Sequence, residues 1–460
     1  MKHSLIFILI IFIATATFPQ NKNSTARFNE TYRNQFHFSP ELNKMGSPIG
    51  LWLSDTIYHL YYQYNPNNLI DGFMNWGHAT SPDLISWEQQ ALVIEQPPLA
   101  DSMFLSPWFG AVVNTENGLK AWLNRWENGL YQTTSNNGFK FNNETQLTGT
   151  EKLAKSEPFV FWHKPSQKWV MIAYERPSTT MYILNSDDGL SWEETSQFHY
   201  NFGFPNLVEI PVDRKNDDTR WVLFTEGGTC LIGNFDGKKF NIENAMSKFD
   251  NGRRIGGTLV YNDPISNKVI GITEIKSEQL ADIASNGFMS FPYQITLHQT
   301  ENGIELRQTP LNTIDQLILK SQILGQEKIY PGIKNNALKR AKGNELYIKG
   351  SISNVNSDLF GFMLRSDRGQ NGIEISCNTK RGVLSVMDSQ INYQPQNKQF
   401  EFEILIDRSS LEVYIDGGKY VFRRSFSPIP NYKNYDLFTN GGEIVIEHLE
   451  VHQLKSIWTK

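Results

Sequence analysis

The sequence predicts an all-β protein, a five-bladed β-propeller followed by a C-terminal β-sandwich. Three observations predict it. A strand-and-turn unit recurs about every 50 residues through the first three hundred. Strict alternation of apolar and polar residues takes over from roughly residue 333. Only one stretch, TIDQLILKSQIL at 313–324, carries a helical stripe. A chain of 460 residues exceeds one ordinary core, so two domains are expected.

The recurring unit has two parts. Five strand-like runs end in a polar residue: Tyr58 to Gln63, Leu119 to Asn124, Trp169 to Glu175, Trp221 to Glu226 and Val269 to Glu274. Between them comes a turn followed by an aromatic residue. It reads Ser81-Pro82-Asp83 before Trp87, Ser135-Asn136-Asn137 before Phe141, and Ser186-Asp187-Asp188 before Trp192. Its fourth copy is Asn234-Phe235-Asp236-Gly237 before Phe240. Several short strands per repeat, at this period, are the signature of a propeller, and five repeats imply five blades. The propeller is expected over 30–312.

The helical stripe reads as a linker over 313–332. Beyond it, Phe402, Ile404 and Ile406 alternate with Glu401, Glu403 and Leu405. Leu411, Val413 and Ile415 alternate with Glu412 and Tyr414, and Asp416-Gly417-Gly418 turns the chain back. That pattern predicts an antiparallel sheet with one core face, and hence a β-sandwich over 333–460.

The remaining composition narrows the function. Hydrophobic content of 39% and aromatic content of 13% exclude disorder. A net charge of −5 gives no reason to expect nucleic acid or an anionic membrane as partner. Lys2 and His3 precede the apolar run Leu5 to Ile13, and Ala14-Thr15-Ala16 follows. This predicts a secretory signal over 1–20, export to a periplasm or the medium, and no membrane insertion after cleavage. Cys230 and Cys377 lie far apart, and nothing in their spacing demands a disulfide. The nine histidines are scattered and no glycine-rich phosphate loop is present, so neither metal nor cofactor is expected.

A propeller gathers its loops at one end of a central axis. Polar residues at strand ends therefore converge, and Gln63, Glu226 and Glu274 hold nearly equivalent ends, with Glu175 within one position. Converging carboxylates push one pKa up, which would supply an acid and a base. The alternative is that they pair with Arg176, Lys168 or Lys276 on the rim.

Several segments together resemble a known family. FHFSPELNKMGSPIGLW, YHLYYQYNP and NWGHATSPDLISWE are similar to the opening of glycoside hydrolase family 32. EPFVFWHKPSQKWVMIAYE resembles its middle, CLIGNFDGKKF a later blade, and NGFMSFPYQITLHQTENGIELRQTP the propeller's last stretch. FEILIDRSSLEVYIDGG resembles its C-terminal sandwich signature, and the likeness runs from about Phe36 to the C-terminus. The family's invertases, levanases and inulinases act on β-fructofuranosides. The resemblance implies the same fold and an oligo- or polysaccharide partner.

The catalytic motifs depart from that family. Its enzymes retain anomeric configuration with two carboxylates, one attacking the sugar carbon and one protonating the leaving oxygen. The nucleophile loop Trp-Met-Asn-Asp-Pro-Asn-Gly reads Lys44-Met45-Gly46-Ser47-Pro48-Ile49-Gly50 here, so Ser47 takes the nucleophile's place. The Glu-Cys-Pro motif reads Gly203-Phe204-Pro205, so Gly203 takes the acid's place. The stabilising Arg-Asp-Pro reads Ser156-Glu157-Pro158, which keeps Glu157 as a catalytic candidate and loses the arginine. Phe-Ser-Gly-Ser becomes Pro107-Trp108-Phe109-Gly110, where Trp108 and Phe109 are either a stacking platform for a different sugar or the filling of a pocket no longer used, while Gln63 and Trp76 remain at binding positions. A serine without an adjacent base does not replace a carboxylate nucleophile, and glycine transfers no proton. The expectation is a secreted saccharide-binding protein with little or no β-fructofuranosidase activity. The alternative is a glycosidase for another saccharide, using Glu157 with relocated carboxylates among Glu175, Glu226 and Glu274.

Overall fold

The computed structural model describes residues 28–95, 108–125, 128–277, 283–332, 338, 341–353, 355–367, 369–429 and 431–458. The signal expected over 1–20 and the position of Pro107 lie outside them.

The strands from Asn43 to Pro310 form one five-stranded, two four-stranded and one ten-stranded sheet, an arrangement consistent with five blades. The second strands of these blades are Ile57–Asn65, Gly118–Arg125, Lys168–Glu175, Lys215–Thr225 and Lys268–Ile275. Each contains one of the five repeat runs, apart from the end of the fourth. There Glu226 falls just past the strand, in the short turn Glu226–Gly228. The recurring turn joins the third strand of a sheet to its fourth, and its polar side chains fold it. Asp83 Oδ1 accepts from the Ile85 and Ser86 amides, Asp188 Oδ1 from Leu190 and Ser191, and Asp236 Oδ1 from Lys238 and Lys239. The aromatic residue after each turn, Trp87, Phe141, Trp192 or Phe240, is buried. Asx turns thus set the register and an aromatic anchors the outer strand.

The ring closes partly through strand Ser285–Asn286, which leaves the fifth blade and pairs in parallel with Asn43 and Lys44 of the first. The first blade's inner strand, Asn43–Ser54, shifts register between Met45 and Pro48 and again between Pro48 and Gly50. Such a bulge bends the strand and re-aims its side chains. Ser47 sits inside it.

The sandwich has one seven-stranded and one five-stranded sheet. Between them lies an apolar core that includes Ile348, Phe360, Phe362, Ile404, Val413 and Phe422. The segment 313–332, expected as a linker, is a correction. After a short 3-10 turn over Asn312–Leu317, strands Ile318–Leu324 and Glu327–Ile329 both pair with the last strand, Ile444–Leu454. The residues Ile318, Leu319, Ile323 and Leu324 form an edge strand, because ladder bonds with Ile444–Leu454 outweigh a local helical stripe.

A second correction concerns the sandwich's outer face. Leu405, Glu412 and Tyr414 alternate out of phase with the core, yet all three are buried. Leu405, Tyr414, Val421 and Tyr347 pack with Phe36, Phe38, Met289 and Phe291 of the propeller side. The sheet therefore buries both faces, one against its partner sheet and one against the propeller.

Candidate functional site

One end of the propeller opens into a cavity of about 330 Å³. Gly46, Ser47, Gln63, Asp71, Trp108, Phe109, Arg176, Phe204, Glu226, Glu274 and Lys276 line it. Ser47, Gln63, Trp108, Glu226 and Glu274 thus converge, and Gly203 and Glu157 lie directly behind them. Trp76 and Glu175 do not join. Trp76 is fully buried among Ile49, Trp52, Tyr61 and Leu123. Glu175 turns the other way and accepts a hydrogen bond from the Ser178 amide at 2.8 Å. Side chains alternate along a strand, so a position one residue out of phase belongs to the opposite face. Arg176, the next residue, takes the cavity side.

The serine is bonded to a carboxylate from a distant strand. Ser47 Oγ donates to Glu274 Oε2 at 2.5 Å and accepts from the Gly257 amide at 2.8 Å. Glu274 reaches it from the second strand of the fifth blade, and Lys44 Nζ stands 3.4 Å from its other oxygen. Both Ser47 and Glu274 are almost wholly buried. Gly256 makes this possible, since a Cβ there would lie 2.0 Å from Glu274 Oε2.

A second carboxylate lies at Gly203. Glu226 Oε1 accepts from the Gly203 amide at 3.1 Å, and the guanidinium of Arg176 holds both Glu226 oxygens, at 3.0 and 3.3 Å. Burial works against ionisation, but the Arg176 hydrogen bonds and charge dominate and hold the Glu226 carboxyl below its usual range. The same guanidinium contacts Glu157 through Nε. Glu157 Oε2 accepts from the Phe204 amide at 2.6 Å. With 1% of its surface exposed, Glu157 is pushed up to about 7, primarily by burial and further by Glu226, against the pull of Arg176. A Cβ on residue 203 would stand 2.4 Å from Glu157 Oε2. Glu157, the catalytic candidate, is thus buried beside the cavity. Its carboxylate fills the space beside Gly203 and is absent from the cavity lining.

The third wall is aromatic. Gln63 spans two backbone groups, accepting from the Ser47 amide at 3.1 Å and donating to the Trp108 carbonyl at 2.5 Å. Its amide is a brace for Trp108. Phe109 and Phe204 meet edge to face at 5.0 Å, and the Trp108 ring lies 6.2 Å from Phe109. Phe204 has φ of 56°, in the left-handed region, although it is bulky and precedes a proline. Such a conformation costs of order 1–3 kcal/mol and persists only where the surroundings impose it. Here Glu157 holds the Phe204 amide, and Gly257 leaves room for the ring, which a Cβ would meet at 2.5 Å.

Sequence reasoning treated Arg176 only as a rim partner and did not single out Phe204, Asp71, Lys44 or the Gly256-Gly257 pair as site residues. Strand phase could have found Arg176. Nothing in a single sequence announces a left-handed phenylalanine. Among the described residues no group of three His, Cys, Asp or Glu side chains is arranged to hold a metal ion.

Comparison with known proteins agrees with this architecture. The model of the glycosyl hydrolases family 32 N-terminal domain matches residues 37–310, and that of the family 32 C-terminal region matches 313–453. The chain is 26% identical over 522 residues to a levanase of Bacillus subtilis, across all of this chain and 76% of that protein. It is 24% identical over 523 residues to an extracellular exo-inulinase of Aspergillus niger, across 94% and 96% of the two. A solved exo-inulinase from Aspergillus awamori superposes with a TM-score of 0.81 at 20% identity, covering 94% of this chain and all of that one.

Proposed function

The chain belongs to glycoside hydrolase family 32, and from that premise we propose that it is an exported saccharide-binding protein with little or no β-fructofuranosidase activity. The observation that carries this reading is where the carboxyl groups stand. A retaining glycosidase needs a carboxyl that keeps its proton and faces the substrate. Here the carboxyl pushed toward neutrality, Glu157, is sealed behind Arg176 and Phe204. The cavity-facing Glu226 is clamped in its ionised form by that same arginine. The positions that resemble the family's nucleophile and acid hold Ser47 and Gly203. What persists is a concave, partly aromatic cavity with a few convergent polar groups, the usual character of a small-molecule site. Export suits a chain whose relatives include an extracellular enzyme.

The purified protein should leave sucrose, inulin and levan intact, with no turnover near the ~1–10³ s⁻¹ typical of enzymes. A thermal-shift screen against glycans should return at least one stabilising saccharide. Ordinary turnover of a fructan would refute the reading.

A second reading draws on one specific observation. Glu274 bonds Ser47 and Glu226 bonds Gly203, so carboxylates have arrived at both vacated places. A glycosidase for a different saccharide would then act through Glu226 and Glu274, and not through Glu157. If the glycan screen yields hydrolysis of any substrate, Glu226→Gln and Glu274→Gln should each abolish it.

A further inference from the structure

We infer that the cavity is built for a six-membered pyranosyl ring, seated on a platform formed by Trp108 and Phe204. This rests on the saccharide-binding reading and names the class of sugar. A pyranose chair with equatorial hydroxyls has a flat face of C–H groups and a polar rim. A fructofuranosyl ring is smaller, puckered and carries two hydroxymethyl arms, so it offers no comparable face. An aromatic ring rewards the first shape, because it supplies broad apolar area at little conformational cost.

The cavity has that division. Trp108, Phe109 and Phe204 make one wall, with Phe109 wedged edge-on against Phe204. Arg176, Glu226, Glu274, Asp71 and Lys276 supply the charged part of the lining, beside Gly46, Ser47 and Gln63. These charged groups suit rim hydroxyls, which both donate and accept. Phe109 is largely buried, whereas Trp108 and Phe204 keep part of their surface in the cavity.

Three independent features hold the platform in place. Gln63 donates to the Trp108 carbonyl while its oxygen accepts from the Ser47 amide, tying Trp108 to the first inner strand. Gly203 and Gly257 carry no side chains where a Cβ would strike Glu157 or the Phe204 ring. The Phe204 backbone is held left-handed. A pocket merely filling after loss of use would not need a bulky residue in that conformation. Gly46 leaves room for the brace as well, since a Cβ there would meet Gln63 Oε1 at 2.6 Å.

Isothermal titration of the full chain tests this. The ligands are pyranosyl disaccharides (cellobiose, lactose, maltose and mannobiose) and the fructofuranosyl disaccharides inulobiose and levanbiose. At least one pyranosyl ligand should bind, with a change in tryptophan fluorescence, at least tenfold tighter than either fructosyl ligand. Trp108→Ala should weaken binding tenfold or more. Phe204→Leu, which keeps apolar bulk but removes the flat ring, should do the same without lowering the melting temperature of the free protein by more than a few degrees. Binding of inulobiose or levanbiose in preference to every pyranoside would overturn the pyranose inference and leave the saccharide-binding reading standing. Pyranoside binding unchanged in both variants would overturn the platform. Binding of neither class would overturn the inference and count against the underlying reading too.

Discussion

Glu157 is harder to ionise in the folded chain than in the unfolded one. Burial raises its folded pKa to about 7, against an ordinary value of 4.5. The sign follows from linkage. Between about pH 4.5 and 7 the folded state holds a proton that the unfolded state has released, so stability falls as pH rises through that window. Glu157→Gln keeps an acceptor for the Phe204 amide and removes the titration. The variant's stability relative to the wild type should therefore be flat below pH 4.5, climb to about pH 7 by up to roughly 3 kcal/mol, and then level off. Urea unfolding at several pH values measures it, and a difference independent of pH would refute the assignment. Residue identity alone foretold part of this. A carboxylate was visible at Ser156-Glu157-Pro158. Its cation was not, because Arg176 approaches from the neighbouring strand's end, and pairing across strands is set by register.

At the scale of elements, the second strands of the blades were legible because their repeat runs are apolar, aromatic and evenly spaced. Their phase was less so. Glu175 and Glu274 look alike in the repeat, yet only Glu274 reaches the cavity, since a one-residue offset turns a side chain to the other face. The edge strand Ile318–Leu324 was misread for a different reason, as its partner lies more than a hundred residues away in Ile444–Leu454. The inner strand Ile255–Asp263 offers a direct test of how the site is packed. Gly256→Ala should force the Glu274 carboxylate off Ser47 and cost about 1–3 kcal/mol, the usual penalty of overpacking. Removing the obstructing side chain in the Gly256→Ala, Glu274→Ala double variant should recover part of that loss. The two effects should therefore be non-additive by 0.5 kcal/mol or more in a double-mutant cycle. Simple additivity would show that Gly256 does not make room for Glu274.

At the scale of the whole molecule, the two domains are joined by charges buried from solvent. Arg423 of the sandwich has no exposed surface, and bonds Asp250 Oδ2 at 2.8 Å, Gln308 Oε1 at 3.1 Å and Glu412 Oε2 at 3.2 Å. Glu412 in turn accepts from the Phe291 amide at 2.7 Å and meets His37 at 3.0 Å, while Asp407 takes the other His37 nitrogen at 2.9 Å. The sequence displayed Glu412 as a polar residue in an alternating strand, and alternation alone assigns such a residue to water. Only the docked propeller reverses that. Burial disfavours the His37 cation, but hydrogen bonds to Asp407 and Glu412 outweigh it and raise the pKa to about 9. The stabilisation this supplies is complete below about pH 6.5 and is lost as pH rises through 9.

Such a junction makes the domains unfold together. Ten of the eleven tryptophans lie at or before Trp221, so tryptophan fluorescence reports the propeller, while circular dichroism reports strands of both domains. In the wild type near pH 6 the two signals should give one coincident thermal transition. Arg423→Met leaves Asp250 buried without its cation and Glu412 with His37 alone, a loss of about 3–5 kcal/mol by the usual cost of orphaning a buried charge. In that variant the melting temperature should drop and the two transitions should separate, because the sandwich keeps its own core between its sheets. Raising the wild type above pH 9 should act in the same direction through His37. His37→Gln should then remove the part of the alkaline loss that falls between pH 6.5 and 9. If Arg423→Met melted at the wild-type temperature, with both probes still superimposed, the ionic junction would not be what couples the propeller to the sandwich. The apolar contact of Leu405, Tyr414 and Val421 with Phe36, Phe38 and Phe291 would then have to carry that coupling.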